Sequence, residues 1–254
     1  MTGPVTRQPP ILPGNAPLVF RGSGLTHVGR VRESNEDAIL TDPDGALWAV
    51  VDGMGGYGHG DMAADIVIDR IASLADDALP APGLRMLIEE ANRLILARSA
   101  ERGIAQMGAT VVAAMIQNGV ATIAWVGDCR AYLWRAGQLR QLTSDHSVVQ
   151  ELVDKGLLRA DQREDHPQRH VVTRAVGIEP QIQIDTMSVQ MMLRDRLVLC
   201  SDGLTACVSD AEIAAIMTRP ADPRSSCRAL ALRALENGAP DNVSVVAIFA
   251  QEAD

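Results

Sequence analysis

Apolar residues in this chain fall into short runs that predict β-strands. Gly, Asn, Asp and Ser bound most of the runs, and these residues end strands and form turns. The predicted strands cover residues 46–52, 109–117, 120–127, 131–135, 138–142, 181–189, 196–201 and 243–250. Asn118-Gly119 and Ala136-Gly137 each join two of these runs, which predicts β-hairpins and therefore antiparallel pairing.

Helix-like segments come in two adjacent pairs, at 61–78, 82–102, 209–219 and 223–237. Pro80 and Pro82 divide the first pair, and Pro220 ends the first helix of the second pair. Ser209 is a favourable N-cap for that helix. Because the helices and the hairpin strands are segregated and do not alternate, the pattern predicts an α+β fold built on antiparallel sheet.

The two ends of the chain differ in composition from its middle. The Pro-rich start, MTGPVTRQPPILPGNAP, predicts a disordered tail, which we place at residues 1–20. Residues 21–254 are predicted to form a single domain. Within that domain, residues 147–171 are polar and weakly helical. We expect this segment, called the flap below, to leave the sheet and form a lid-like excursion.

Charge and cysteine content limit the partners. The net charge of the 254 residues is −9, and no cluster of Lys and Arg stands out. Nucleic acid and anionic membrane are therefore poor candidates for partners. No uncharged apolar run reaches the roughly 18 residues of a membrane span, so we expect no membrane insertion. The four cysteines form no C-x-x-C pair, and buried free thiols in a reducing cytosol are expected.

One pattern recurs at the ends of the predicted strands, where an aspartate is followed at once by Gly, Cys or Asn. The residues are Asp52, Asp128, Asp202 and Asp241. Each alone is an ordinary turn former. Several carboxylates at one edge of a sheet repel one another, however, and together they indicate a bound cation. An all-oxygen set of ligands favours Mg²⁺ or Mn²⁺ over Zn²⁺.

A glycine motif in the same region suggests a different function. Gly53, Gly55 and Gly58 match the G-x-G-x-x-G of dinucleotide-binding turns. That fold needs a second strand soon after the first helix, whereas two helices follow here and the next strand begins near Ala109. Asp52 also stands where a pyrophosphate would have to lie. A nucleotide-binding oxidoreductase is therefore a poor interpretation.

Eight sequence blocks, in this order, resemble the metal-dependent serine/threonine protein phosphatases of type 2C, the PPM family, in their compact bacterial form. They are GRVRESNEDA (29–38), VVDGMGG (50–56), MGAT (107–110), VGDCRAY (126–132), LTSDHS (142–147), HPQRHVVTRAVG (166–177), LCSDGL (199–204) and PDNVSVV (240–246). The resemblance implies an α-β-β-α sandwich, in which two central antiparallel β-sheets are flanked by pairs of α-helices.

The resemblance also implies a binuclear centre of Mn²⁺ or Mg²⁺, with a third ion in some members. It assigns the metal ligands to Asp52, Gly53, Asp202, Asp241, Asp128, Asp37 and Glu36. Asp52 would bridge the two core ions, while Asp37 and Glu36 would act through water. Asp128 matches the aspartate of the third ion. Arg32 matches the arginine that holds the substrate phosphate, so Arg32 and Asp52 are the implied catalytic residues.

The implied reaction is hydrolysis of phosphoserine and phosphothreonine on proteins by direct attack of a metal-bridging water or hydroxide. The resemblance further implies a monomeric cytoplasmic enzyme. Its substrates would be targets of a bacterial Ser/Thr kinase, with type VI secretion as one setting. A pseudophosphatase would lack metal ligands, and none of the mapped ligands is missing. The motifs leave hydrolysis of small phosphoesters open.

Three positions depart from the family pattern. Met54 stands where animal members carry the histidine that serves as general acid, so the proton donor is left open. Tyr57 and Asp61 replace the His and Glu of bacterial relatives. His146, in LTSDHS, is expected to be a hydrogen-bonded structural histidine.

Overall fold

The structure is a computed structural model, and it describes residues 18–42, 46–55, 59–75, 78–104, 106–163, 165–219 and 221–253. Ten strands lie in this part of the chain: β1 Leu18–His27, β2 Asp37–Thr41, β3 Leu47–Gly55, β4 Met107–Gln117, β5 Val120–Val126, β6 Arg130–Arg135, β7 Gln138–Gln141, β8 Asp185–Gln190, β9 Arg196–Cys200 and β10 Val243–Glu252. The α-helices are α1 Gly60–Ala72, α2 Pro80–Arg102, α3 Val148–Asp154, α4 Asp202–Thr205, α5 Asp210–Thr218 and α6 Pro223–Glu236. A short 3₁₀ helix covers Ala160–Gln162.

The strands form two five-stranded sheets. The first sheet has the order β1-β10-β9-β6-β7, and the second has the order β2-β3-β4-β5-β8. Every pair of neighbouring strands is antiparallel. Asn118 and Ala136, the first residues of the two predicted hairpin turns, have φ of 53° and 50°. The hairpin prediction is therefore confirmed, and a parallel nucleotide-binding sheet is excluded for the described residues.

The core divides into three apolar layers because successive side chains in a strand point to opposite faces. In β3, Ala49 and Val51 pack with α1 and α2, whereas Trp48 and Val50 pack against the other sheet. The outer face of the first sheet packs with α4, α5 and α6 in the same way. The three layers confirm the predicted sandwich of helices, two sheets and helices.

The predicted helices of the second pair begin and end almost where the sequence places them. Ser209 caps α5 through a capping box, in which its hydroxyl oxygen accepts from Glu212 N and the Glu212 carboxylate accepts from Ser209 N. Pro220 lies outside the described residues. Helix α1 ends at Ala72, six residues before the predicted end at 78. No helix in the described part of the chain is long and apolar enough to cross a bilayer.

Three strand predictions need correction. Strand β1 begins at Leu18, inside the segment predicted as a tail, and residues 18–20 pair with residues 250–252. Neither β1 nor β2 was predicted, because Gly, Ser and charged residues interrupt their apolar pattern. Strand β8 begins at Asp185 and not at 181. Asp185 is the first residue of the segment that pairs with β5, and its partner, Trp125, is near the end of β5.

Candidate metal centre

A channel of about 870 Å³ opens at one edge of the sandwich. Both sheets contribute to its walls. Side chains of Asp52, Asp128, Asp202 and Asp241 line it, together with Glu36, Gly53 and Arg32. Of the residues predicted as metal ligands, only Asp37 does not line the channel, and it lies buried behind it. The structure therefore brings the predicted site residues to one place, although they are up to 209 positions apart in the chain.

Strand pairing positions the carboxylates of the second sheet. Asp37, the first residue of β2, lies directly opposite Asp52 in β3. Two carboxylates on facing positions of an antiparallel ladder repel one another, which is destabilising without a counter-charge. Asp202 enters from the first sheet, at the start of α4 after β9, and Asp241 precedes β10. Two sheets thus each supply acidic groups to a shared space.

Burial and mutual repulsion raise the pKa values of four carboxyl groups here, those of Asp37, Asp52, Asp128 and Asp202. Burial is the main cause for each of them, and the charges of neighbouring carboxylates add to it. The pKa of Asp37 is raised to about 7 and that of Asp128 to about 8. The pKa values of Asp52 and Asp202 are also raised. A divalent cation would remove this penalty by supplying the missing positive charge.

The donor set fits such a cation. Asp37 Oδ1 is buried without a hydrogen-bond partner in the described part of the chain. Asp52 and Asp202 are in hydrogen-bonding contact, which two ionised carboxylates make only with a proton or a cation between them. Among the described residues, no three acidic, His or Cys side chains already converge as a ligand set. Bound cations would neutralise the repulsion between these like charges and allow the carboxylates to approach one another.

Glycines at 53 and 60 allow the backbone to reach the channel. A Cβ on Gly53 would lie 2.1 Å from the carbonyl oxygen of Gly60, so no other residue fits there without moving α1. Gly53 N donates to the carbonyl oxygen of Glu36 at 3.1 Å. Burial raises the pKa of the Glu36 side chain, and a backbone hydrogen bond from Gly60 opposes this rise. The close packing fixes residue 53 beside the carboxylates, where its carbonyl is an available ligand.

Arg32 forms an ion pair with Asp241, in which Nη2 and Oδ2 are 2.7 Å apart. Its neighbours Glu33 and Glu36, which are also described, form no ion pair with it. The Arg32 side chain is 57% exposed, so it can turn toward a ligand in the channel. A cation on Asp241 would compete for the same carboxylate and release the guanidinium. Arg32 is thus placed to meet an anionic substrate group at the channel mouth.

Sequence reasoning missed Asn242, which organises the segment that carries Arg32 and Glu36. Its side-chain amide donates to the carbonyl oxygens of Val28 and Ser34, and its Oδ1 accepts from Glu36 N at 2.8 Å. Three hydrogen bonds from one buried side chain fix this segment. The block PDNVSVV contains the residue, but nothing in the sequence states that Asn242 reaches a segment 206 positions away.

Ser201 connects the two sheets behind the channel. Its hydroxyl donates to Asp37 Oδ2 at 2.8 Å and accepts from Ser244 N at 3.0 Å. The bond to Asp37 favours the ionised carboxylate and so opposes the rise in its pKa. Ser201 therefore orients one oxygen of Asp37, while the other oxygen is left for a ligand or a water.

Asp128 follows β5 and also lines the channel. The next residue, Cys129, is buried, and its thiol is in hydrogen-bond contact with the Thr110 hydroxyl at 3.1 Å. Burial raises the pKa of the Cys129 thiol, so it is a neutral core thiol and not a nucleophile. Arg130 binds both oxygens of Asp145, at 2.9 and 2.6 Å, and this pair lies beside Asp128.

His146 has the structural role that the sequence predicts. Its Nδ1 accepts from Gly127 N at 3.0 Å, so Nε2 carries the proton and donates to Asp185 at 3.2 Å. The ring stacks on Trp125, with 6.2 Å between centroids. Met54 lines the channel and has no proton to give. Tyr57 lies outside the described residues, and Asp61 lies in the first turn of α1.

Known proteins match this chain over most of its length. The protein phosphatase 2C model matches residues 24–235. The serine/threonine phosphatase stp of Listeria welshimeri is 33% identical over 235 residues, which cover 88% of this chain and 93% of that protein. The catalytic domain of the phosphatase PstP, solved in complex with two manganese ions, superposes with a TM-score of 0.84 at 32% identity and covers 92% of this chain and 100% of that one.

A further solved structure is PppA, a key regulatory component of T6SS in Pseudomonas aeruginosa. It has a TM-score of 0.84 and 35% identity, and it covers 91% of this chain and 98% of that one. The family model covers far more than half of the sequence, and the sheet order and the acidic channel fit the same family. The chain belongs to the protein phosphatase 2C family.

Proposed function

We propose that this chain is a metal-dependent protein phosphatase that hydrolyses phosphoserine and phosphothreonine on proteins. The position of Asp52, Asp128 and Asp202 along one channel, with raised pKa values, supports it most directly. The family membership and the manganese-bound PstP neighbour support it further. Mn²⁺ and Mg²⁺ are the ions that fit an all-carboxylate and carbonyl donor set.

Each site residue has a proposed task. Asp52, Asp202 and Asp241 would hold the two core ions, with the carbonyl oxygen of Gly53 as a further ligand. Asp37 and Glu36, on the side of the second sheet, would orient water. Asp128 would be a ligand of a third ion. Bound divalent cations supply acidified water and stabilise negative charge on phosphoryl oxygens. Arg32 would bind the phosphate of the substrate by two parallel hydrogen bonds and orient it.

The two cysteines next to the channel motifs are unsuited to act as covalent nucleophiles. Cys129 is 1% exposed and Cys200 is fully buried, and both have raised pKa values because of burial. A buried neutral thiol does not attack phosphorus. This agrees with direct transfer of the phosphoryl group to water, without a phosphorylated enzyme residue.

The setting of the enzyme is part of the proposal. The likeness to Stp and PstP supports phosphoproteins made by a bacterial Ser/Thr kinase as substrates. The likeness to PppA is the only support for a role in type VI secretion. Four free cysteines support a reducing compartment such as the cytoplasm. We propose that the enzyme acts as a monomer.

A comparison of two substrates tests the function. With Mn²⁺ present, we expect phosphate release from a phosphothreonine peptide with a kcat/KM at least about tenfold above that for p-nitrophenyl phosphate, because a channel of about 870 Å³ contacts more of a peptide. Asp202→Asn should lose both activities. Binding of the phosphopeptide without phosphate release would indicate a pseudophosphatase, and a preference for the small ester would contradict a protein substrate.

Arg32→Ala tests the proposed phosphate ligand. We expect KM for the phosphopeptide to rise about tenfold, because a charge-assisted pair with phosphate is lost. Mn²⁺ affinity should stay equal or increase, since Asp241 loses a competing partner. Calorimetry with Mn²⁺ and steady-state kinetics separate the two effects, and Arg140→Ala on β7 is the matched control. Weaker Mn²⁺ binding with an unchanged KM would refute this role of Arg32.

A further inference from the structure

A second recess adjoins the channel on the side of the flap. It measures about 180 Å³, far more than the roughly 15 Å³ that one ordered water needs. Asp128, His170 and Asp202 line both the recess and the channel, so the two spaces are directly adjacent. A single extended substrate can therefore reach both spaces at once.

The recess has an acidic side next to the channel and a basic side on the flap. Arg130, Arg163, Arg169 and His170 line it. Arg130 is already neutralised, because it binds both carboxylate oxygens of Asp145. The carboxylates of Asp128 and Asp202 belong to the metal centre proposed above. The charges that remain to be explained are those on the flap.

Two flap guanidinium groups have no counter-charge within the described residues. In the described part of the chain the Arg163 side chain donates only to neutral oxygens, Gln150 Oε1 at 2.7 Å and the carbonyl of Ala160 at 3.3 Å. Arg169 N donates to the carbonyl oxygen of His166, but the Arg169 guanidinium forms no hydrogen bond or ion pair with any described residue. By contrast Arg159, which lies outside the recess, forms an ion pair with Asp161. The flap arginines without an ionic partner among the described residues are thus the ones that line the recess.

The base of the flap is fixed, so these arginines are held near the channel. Val148 N donates to the carbonyl oxygen of Val171 at 2.9 Å, and Ser147 forms a bridge with Val172. Thr173 N also donates to the carbonyl oxygen of His146 at 2.8 Å. These bonds join the two ends of the flap and keep the recess beside the site of reaction.

We propose that the recess binds a second anionic group on the same substrate, a carboxylate or a phosphate near the phosphoresidue being hydrolysed. The inference rests on the proposed phosphatase function and adds a specificity to it. Planar guanidinium groups bind both anions by paired hydrogen bonds. The enzyme would therefore prefer acidic or multiply phosphorylated segments, and Arg163 and Arg169 would determine that preference.

The test uses synthetic phosphothreonine peptides that differ at one position, which is Ala, Glu or phosphoserine. That position is moved along either side of the phosphothreonine, and kcat/KM is measured with the full chain and Mn²⁺. We expect the best-placed Glu or phosphoserine to raise kcat/KM about tenfold over Ala, mainly through KM. The gain should shrink as NaCl rises from about 50 mM to about 500 mM. The Glu and phosphoserine series show which anion the recess favours.

The double variant Arg163→Gln, Arg169→Gln should lose this preference, while Arg163→Lys, Arg169→Lys should keep part of it. Arg159→Gln is the matched control, because Arg159 is a flap arginine outside the recess. Equal rates on neutral and acidic peptides by the wild type would overturn the inference and leave the phosphatase function standing. An equal loss of kcat/KM on neutral and acidic peptides in the double Gln variant would also overturn the inference and leave the phosphatase function standing. No phosphate release from any peptide would overturn both.

Discussion

Asp52→Asn is expected to abolish phosphate release while making the metal-free protein more stable. Asp52 lies opposite Asp37 in the ladder and contacts Asp202, so one neutral side chain removes repulsion with two carboxylates. The same change removes the proposed bridging ligand. Loss of several kcal/mol of transition-state stabilisation predicts a fall in kcat of at least about 100-fold.

Opposite changes in activity and stability distinguish a functional carboxylate from a structural one. Thermal unfolding in EDTA should give a higher Tm for Asp52→Asn than for the wild type, and adding Mn²⁺ should reverse the order. Asp154→Asn is the matched control, since this exposed aspartate on α3 bonds only Gln150 among the described residues. A metal-free Asp52→Asn protein that melts well below the wild type would contradict the repulsion described here.

Removal of divalent cations is expected to reduce phosphopeptide hydrolysis to background, and Mn²⁺ should restore it. The metal-free protein should also become less stable as the pH rises. Asp37, with a folded pKa of about 7, and Asp128, with about 8, hold protons more tightly in the folded protein than an ordinary aspartate with a pKa of 3.8. Their protonated forms stabilise the fold at low pH, and that stability is lost as the pH rises through 7 and 8.

Thermal unfolding in EDTA at a series of pH values tests whether the stability of the metal-free protein falls as the pH rises. The expected difference between pH 5 and pH 9 amounts to several kcal/mol, and saturating Mn²⁺ should remove most of it. In Asp52→Asn the dependence should be weaker, because fewer carboxylates share the channel. Phosphatase activity that survives thorough chelation would refute the metal-dependent reaction.

The sequence predicts most of the sandwich because its central strands are nearly continuous apolar runs. Strand β4 is buried along almost its whole length, and its nearly continuous apolar run is typical of a strand with both faces covered. Strand β1 contains Arg21-Gly22-Ser23-Gly24, and only its pairing with β10 makes it a strand. The alternation before Asp185 reflects Ile182 and Ile184 packing with the helical layer, not a ladder of hydrogen bonds.

The sequence predicts those site residues that stand at the ends of strands. Aspartates at strand ends converge when the sheets stack, and the resemblance supplied their roles. The partners of Arg32 and Asn242 could not be predicted, because both reach across more than 200 positions to segments whose approach depends on the folded chain. The unpaired flap arginines were equally hidden, since a sequence does not state which charges find a partner.

The shared acidic channel also has a consequence for the integrity of the two layers. Asp37 and Asp52 belong to one sheet, while Asp202 and Asp241 are carried by the other. All four cysteines are free, so no disulfide joins the layers. Ions held jointly by both sheets would act as a reversible cross-link and restrict the unfolded chain as a disulfide does. A loss of cellular manganese or magnesium would then lower both the activity of this protein and its resistance to proteolysis.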